Sequence, residues 1–108
     1  MRRGDVYYAD LEPSVGSEAN KRRPCLIVSN DANNRAASTL TVLPITSKVA
    51  RVYPFEVRLD SELDRPCKVQ PNQVRTISKT RLVGAPLVRL STGVMQRVGD
   101  ALRLHLDL

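Results

Sequence analysis

Aromatic residues are scarce: the chain of 108 residues has no tryptophan, one phenylalanine and three tyrosines. A partner gripped mainly by ring stacking is therefore excluded, since one or two bases are the most that could stack. There is a single histidine, His105. A His–His acid–base pair, a Ser–His–Asp triad and a zinc site each need more than this one imidazole, which reads as structural. No Gly-rich loop of the P-loop or dinucleotide type is present. The two cysteines, Cys25 and Cys67, match no metal-ligand spacing, so neither a metal nor another cofactor is expected. In a reducing compartment they are free thiols. Cys25 lies in an apolar run and reads as core, whereas no pattern places Cys67. No run of about 20 apolar residues exists to span a membrane. After Met1-Arg2-Arg3 come Asp5 and Asp10 rather than an apolar core, so the start does not read as a signal peptide, and the expected compartment is the cytoplasm.

What the chain does have is positive charge. The net charge is +6, and 42% of the residues are hydrophobic. That combination describes a folded basic domain with an acidic partner, nucleic acid first among the candidates. The length fits one domain over residues 1–108. A domain of this size buries only about 60–70% of its unfolded surface. A homodimer that buries more is therefore expected.

Most of the chain reads as short strands. Gly4 to Leu11 is a first strand, followed by a long polar loop from Glu12 to Arg22. Pro24 to Ser29 is almost continuously apolar and reads as a central strand opened by its proline. Asn30 to Ser38 fits one helical turn capped by Asn30 or Asp31. Thr39 to Ile45 and Phe55 to Leu59 alternate as strands, and Cys67 to Val69 and Gln73 to Ile77 are two shorter ones. From Ser91, a plausible N-cap, Val94, Val98, Ala101, Leu102 and Leu106 recur at helical spacing. The pattern predicts a mainly β fold with short helices, a small barrel or curled sheet with an amphipathic C-terminal helix.

Three groups of residues could carry chemistry. Gly16-Ser17-Glu18 precedes Lys21-Arg22-Arg23-Pro24, where cations sit beside a flexible loop. The residue before a proline is biased to extended geometry, so Arg23 is held at a loop–strand junction. Its planar fork and permanent charge suit phosphate. Pro44-Ile45-Thr46-Ser47-Lys48 places two hydroxyls and an amine where a strand ends. The stretch from Arg65 to Arg89 holds six cations and no acidic residue, which makes it a candidate nucleic-acid face. The ordinary alternative for each is a solvated surface or a plain turn.

Taken in order, these motifs resemble the MazF/PemK toxin family. The matching residues are Arg3-Gly4-Asp5-Val6-Tyr7, Asp10-Leu11, Pro13, Gly16-Ser17-Glu18, and Arg23-Pro24 with the apolar run into Ser29-Asn30-Asp31. They continue through Pro44-Ile45-Thr46-Ser47, Tyr53-Pro54-Phe55-Glu56-Val57, Gln73-Val74-Arg75-Thr76-Ile77-Ser78 and Arg81-Leu82. The resemblance implies a small SH3-like barrel of the CcdB/PemK-like toxin fold, paired as a homodimer. It implies the toxin of a type II toxin–antitoxin system: a sequence-specific, metal-independent endoribonuclease that cuts single-stranded RNA, messenger RNA above all with ribosomal or transfer RNA as further targets, and so inhibits translation and growth. A cognate MazE-like antitoxin is the implied protein partner. Arg23 matches the family's catalytic arginine and Thr46 its catalytic hydroxyl residue, while Glu18 matches the glutamate of the Gly-Ser-Glu loop. Ser17, Lys21, Ser47, Gln73 and Arg75 are the implied RNA-binding residues. The rival reading is a CcdB-like toxin, which shares the fold but binds DNA gyrase and does no chemistry. A binding domain without activity is the third.

Overall fold

The computed structural model describes residues 1–108, and it is mainly β. Seven strands run in antiparallel pairs: β1 (Asp5–Asp10), β2 (Arg22–Ile27), β3 (Thr39–Thr46), β4 (Val57–Leu59), β5 (Cys67–Val69), β6 (Arg75–Ser78) and β7 (Leu82–Arg89). A short helix, α1 (Asp31–Ala36), follows β2, and a long one, α2 (Thr92–Leu106), closes the chain. The strand order is β4-β5-β3-β2-β1-β7, with β6 paired to β3. The curled sheet makes the barrel-like fold that the alternation predicted.

The sheet is buried on both faces, which is why its central strands read as continuous apolar runs. Leu26 and Val28 of the β2 segment join Val6, Leu43 and Leu59 in a core covered by Val94, Val98 and Ala101 of α2. Their neighbours Cys25 and Ile27 face the other way, into a second core with Tyr7, Ala9, Leu40, Val42 and Ile77. Ser91 caps α2 as expected, its hydroxyl accepting from Val94 N–H at 3.2 Å. Asn30, not Asp31, caps α1, accepting from Asn33 N–H at 2.8 Å. Leu106 lies on the predicted apolar face of α2 but is 48% exposed.

Several boundaries differ from the sequence reading. The Phe55–Leu59 strand is cut to Val57–Leu59, since Tyr53 N–H donates to the Glu56 carboxylate and folds the preceding residues into a turn. Pro71–Gln73 forms a 3-10 turn and delays β6 to Arg75. β7 was not foreseen at all. Gly84, with φ +74°, and Pro86 interrupt its pattern. It is an edge strand held to β1 alone, with an irregularity in register between Val6 and Tyr8.

β2 begins at Arg22, so Pro24 stands inside the strand rather than at its start. This position opens the site. Backbone groups of a strand point alternately to its two neighbours. The Ile27 carbonyl accepts from Gly4 on the β1 side, and Val28 N–H donates to the Thr41 carbonyl on the β3 side, each at 2.9 Å. Alternation therefore aims Leu26, and then Pro24, at β3. Pro24 has no N–H to give, and the β2–β3 ladder ends at Cys25 opposite Pro44. Further pairing would have set Arg23 opposite Thr46. Instead the strands part, and β3 pairs Ile45 and Thr46 with β5 on its other edge.

Candidate nucleic-acid interface and active site

Two open grooves lie where β2 and β3 separate, and Arg23 and Thr46 line both. The first, of about 320 Å³, adds Ser17, Glu18, Lys48, Lys68 and Gln73. The second, of about 260 Å³, adds Tyr8, Pro24, Ser47, Leu63, Asp64 and Arg65.

Arg23 is half-buried, and its Nε donates to the Asn20 carbonyl at 2.8 Å. That bond fixes the plane of the guanidinium and makes no use of the two terminal nitrogens. The fork is left to meet an anion bidentately. Thr46 is 7% exposed, and its hydroxyl oxygen accepts from Lys48 N–H at 3.3 Å. An accepting hydroxyl keeps its own hydrogen to donate, so Arg23 and Thr46 together present donors to one place.

The loop beside them is stapled from across the chain. The Gln73 side chain accepts from Ala19 N–H at 3.1 Å and donates to the Ser17 carbonyl at 3.2 Å. Gly16 supplies the positive φ of +59° that the turn before this staple requires. Glu18 is exposed between the two stapled residues. Beneath the first groove, Lys68 is buried and pairs with Glu56 at 2.8 Å while donating to the Arg51 carbonyl at 2.8 Å. Its charge is therefore balanced within the fold.

Of the residues the sequence pointed to, Arg23, Thr46, Glu18, Ser17 and Gln73 meet at the first groove, and Ser47 lines the second. Gln73 reaches the groove, but its amide is engaged by the loop backbone. Lys21 and Arg75 line neither groove. Lys21 sits at φ +64°, its N–H on the Glu12 carboxylate at 2.9 Å. Arg75 donates to the Leu11 carbonyl at 3.2 Å rather than pairing with Asp5 or Glu56.

The six cations from Arg65 to Arg89 do not form one face. Lys68 pairs with Glu56, Arg75 holds Leu11, Lys79 holds the Asn34 carbonyl, Arg81 holds the Asp10 and Glu12 carbonyls, and Arg89 pairs with Asp5 at 3.0 Å. Only Arg65 and Lys68 of this set line a groove. Sequence reasoning missed Asn20, whose carbonyl holds Arg23, and also Gln70, Tyr8, Leu63 and Asp64. A main-chain contact from Asn20 leaves no trace in side-chain type.

Neither cysteine offers a nucleophile. Burial pushes the Cys25 thiol up to about 12, opposed by the charges of Arg75 and Arg23. Burial, helped by the carboxylates of Glu62, Asp64 and Asp60, also raises Cys67 at the second groove. No three of His, Cys, Asp and Glu gather as a metal site would need. No helix is long and apolar enough to cross a membrane. The chemistry available to the grooves is that of guanidinium, hydroxyl, amine and two carboxylates, Glu18 in the first and Asp64 in the second.

Residues 2–106 match the family described as PemK-like, MazF-like toxin of type II toxin–antitoxin system. The chain is 45% identical over 116 aligned residues to endoribonuclease MazF9 of Mycobacterium tuberculosis, covering all of this chain and 98% of that protein. It is 38% identical over 112 aligned residues to endoribonuclease EndoA of Bacillus subtilis, covering all of this chain and 96% of the relative. Among solved structures, MazF of Deinococcus radiodurans superposes with a TM-score of 0.88 at 27% identity, over all of this chain and 97% of that one. A mycobacterial endoribonuclease in complex with its cognate antitoxin superposes with a TM-score of 0.83 at 28% identity, over all of this chain and 96% of that one. With the model spanning nearly the whole sequence and the fold agreeing, the chain belongs to the PemK-like, MazF-like toxins of type II toxin–antitoxin systems.

Proposed function

We propose that this toxin endoribonuclease cuts single-stranded RNA where β2 and β3 separate, with the scissile phosphate between Arg23 and Thr46. The observation that carries the reading is the anchoring of Arg23 Nε on the Asn20 carbonyl, which leaves both terminal guanidinium nitrogens uncommitted in a residue that lines the groove with Thr46. The ribose 2′-OH attacks the adjacent phosphorus, the bond to the 5′ oxygen breaks as that oxygen takes a proton from water, and the products are a 2′,3′-cyclic phosphate and a 5′-hydroxyl. Arg23 holds the non-bridging oxygens as negative charge grows on them, and Thr46 holds another oxygen. Arginine does not give up its proton in proteins, so its part is charge stabilisation. Glu18 is the carboxylate within the first groove and the candidate acceptor of the 2′-OH proton. Ser17, Ser47 and Lys48 add polar contacts to the RNA chain, and Arg75 and Lys21 support the frame around it.

Residues 1–108 act as one domain, in the cytoplasm, as a homodimer whose activity a MazE-like antitoxin controls. The mycobacterial and Deinococcus relatives crystallised with their antitoxins support that partner. A CcdB-like gyrase binder is not favoured, since the curated relatives are endoribonucleases. The test is incubation of pure protein with a long RNA, followed by mapping of 5′ ends and analysis of the termini. Discrete cuts that leave cyclic phosphates are expected. Gyrase inhibition without RNA cleavage would overturn the reading.

A further inference from the structure

The grooves on either side of Arg23 and Thr46 are chemically unlike. The first is polar throughout, with Arg23, Lys48, the paired Lys68 and Glu18, and has Ala19 as its one hydrophobic lining residue. The second is walled by Tyr8, Pro24, Ile45 and Leu63, and its Asp64 carboxylate stands among Arg22, Arg23 and Arg65. RNA has the same division, a phosphate chain that seeks cations and bases that seek apolar walls and rings. A carboxylate repels phosphate, whereas it accepts hydrogen bonds from base amines.

Two side chains give the second groove the means to read a base. Tyr8 lies opposite Pro24 in the β1–β2 register, and strand alternation turns it away from the core that takes Tyr7. Its ring is 44% exposed and is the one ring in either groove. An exposed ring beside a charged groove is a stacking platform. Asp64 is the acid there, and its side chain is 87% exposed. Its one ion pair is to Arg65 at 3.9 Å, too long and too open to occupy its oxygens. Tyr8, Pro24, Leu63 and Asp64 also continue into a neighbouring depression past Leu87, so this wall extends beyond a single site.

We infer that the second groove is a nucleobase pocket next to the scissile phosphate, in which Tyr8 stacks the base and Asp64 accepts from an exocyclic amine, so that adenine, cytosine or guanine is preferred there over uracil. This rests on the reading that Arg23 and Thr46 hold the cleaved phosphate. It makes Asp64 a specificity residue and places a base on the Tyr8 side of the cut.

The experiment is cleavage of a randomised RNA library by the wild type, Asp64→Asn and Tyr8→Leu, with every 5′ end sequenced. The wild type is expected to avoid uracil at one position flanking the cut. Asparagine gains an amide that donates to uracil O4, so Asp64→Asn should raise the share of uracil at that position alone by about tenfold. Tyr8→Leu should raise KM about tenfold on all substrates and leave the base preference unchanged. Asp64→Asn cutting with the wild-type base frequencies, or changing the rate on every sequence alike, overturns the pocket. A wild type that binds the library without cutting sinks the nuclease reading instead. The base frequencies of the retained RNA then test the pocket on their own, by the same comparison with Asp64→Asn.

Discussion

Arg23 and Arg75 are both half-buried, and each donates to a main-chain carbonyl of the loop that follows β1. They differ in the nitrogen used. Arg23 is tied through Nε to Asn20, its terminal nitrogens have no partner in the fold, and it lines the groove. Arg75 is tied through Nη1 to Leu11, and it lines no groove. The first arrangement makes a receptor for an anion, the second a brace between β6 and the end of β1. Counting positive charges along a sequence does not separate these roles, because the deciding fact is which donors are already taken.

The comparison is tested most severely at Lys68, which both braces the fold and touches the groove. Lys68→Met leaves Glu56 buried and unpaired, and breaking such a pair costs about 3–5 kcal/mol. Chemical denaturation should show that loss, and the double variant with Glu56→Gln should recover much of it. A Lys68→Met protein of unchanged stability would mean the pair is not a structural brace.

Arg23→Ala should lower kcat by about 100–1000-fold, the usual consequence of losing one preorganised donor at a developing charge. The bond to Asn20 is lost as well, so kcat is compared on protein shown to be folded. Arg23→Lys should remain poor, since an ammonium cannot replace a planar fork. Full turnover in a folded Arg23→Ala protein would remove Arg23 from the chemistry.

Arg75→Ala should lower stability without touching the chemistry. Losing a charged hydrogen bond costs about 1.5–3 kcal/mol of stability, while the salt dependence of RNA binding should stay as it was. If the slope of log K against log salt falls by about one unit, Arg75 contacts a phosphate after all and the contrast with Arg23 collapses. The smallest expected effect is that of EDTA. No cluster of carboxylates, imidazoles and thiols stands ready for a metal, so cleavage should continue in excess chelator. Inhibition that Mg²⁺ reverses would require a different mechanism.

Much of this architecture was legible in the residues. Strand-forming residues located β1, alternation located β3 and the end of β4, and helical spacing behind a Ser91 cap located α2. β7 was hidden because Gly84 and Pro86 break its pattern, and because its side chains are mostly exposed, with no buried face to reveal a period. For the site, Arg23, Thr46, Glu18 and Ser17 were visible as motifs, and they converge. The basic run from Arg65 to Arg89 misled, since five of its six cations are held by carbonyls or carboxylates distant in sequence. Such pairings depend on the fold, and no local pattern announces them. The role of Pro24 was also hidden. Its missing N–H matters only because β3 lies on that side.

The Gln73 staple changes what it takes to receive a ligand. A loop between two strands is ordinarily a swarm of conformations, and a partner that selects one of them must bear the loss of chain freedom, about 1–2 kcal/mol for each backbone residue fixed. Here a single amide bridges Ser17 and Ala19 from 56 and 54 residues further along the chain. It restricts the segment that carries Glu18 before any RNA arrives. The groove meets its substrate with that disorder already removed, so more of the contact energy appears as affinity.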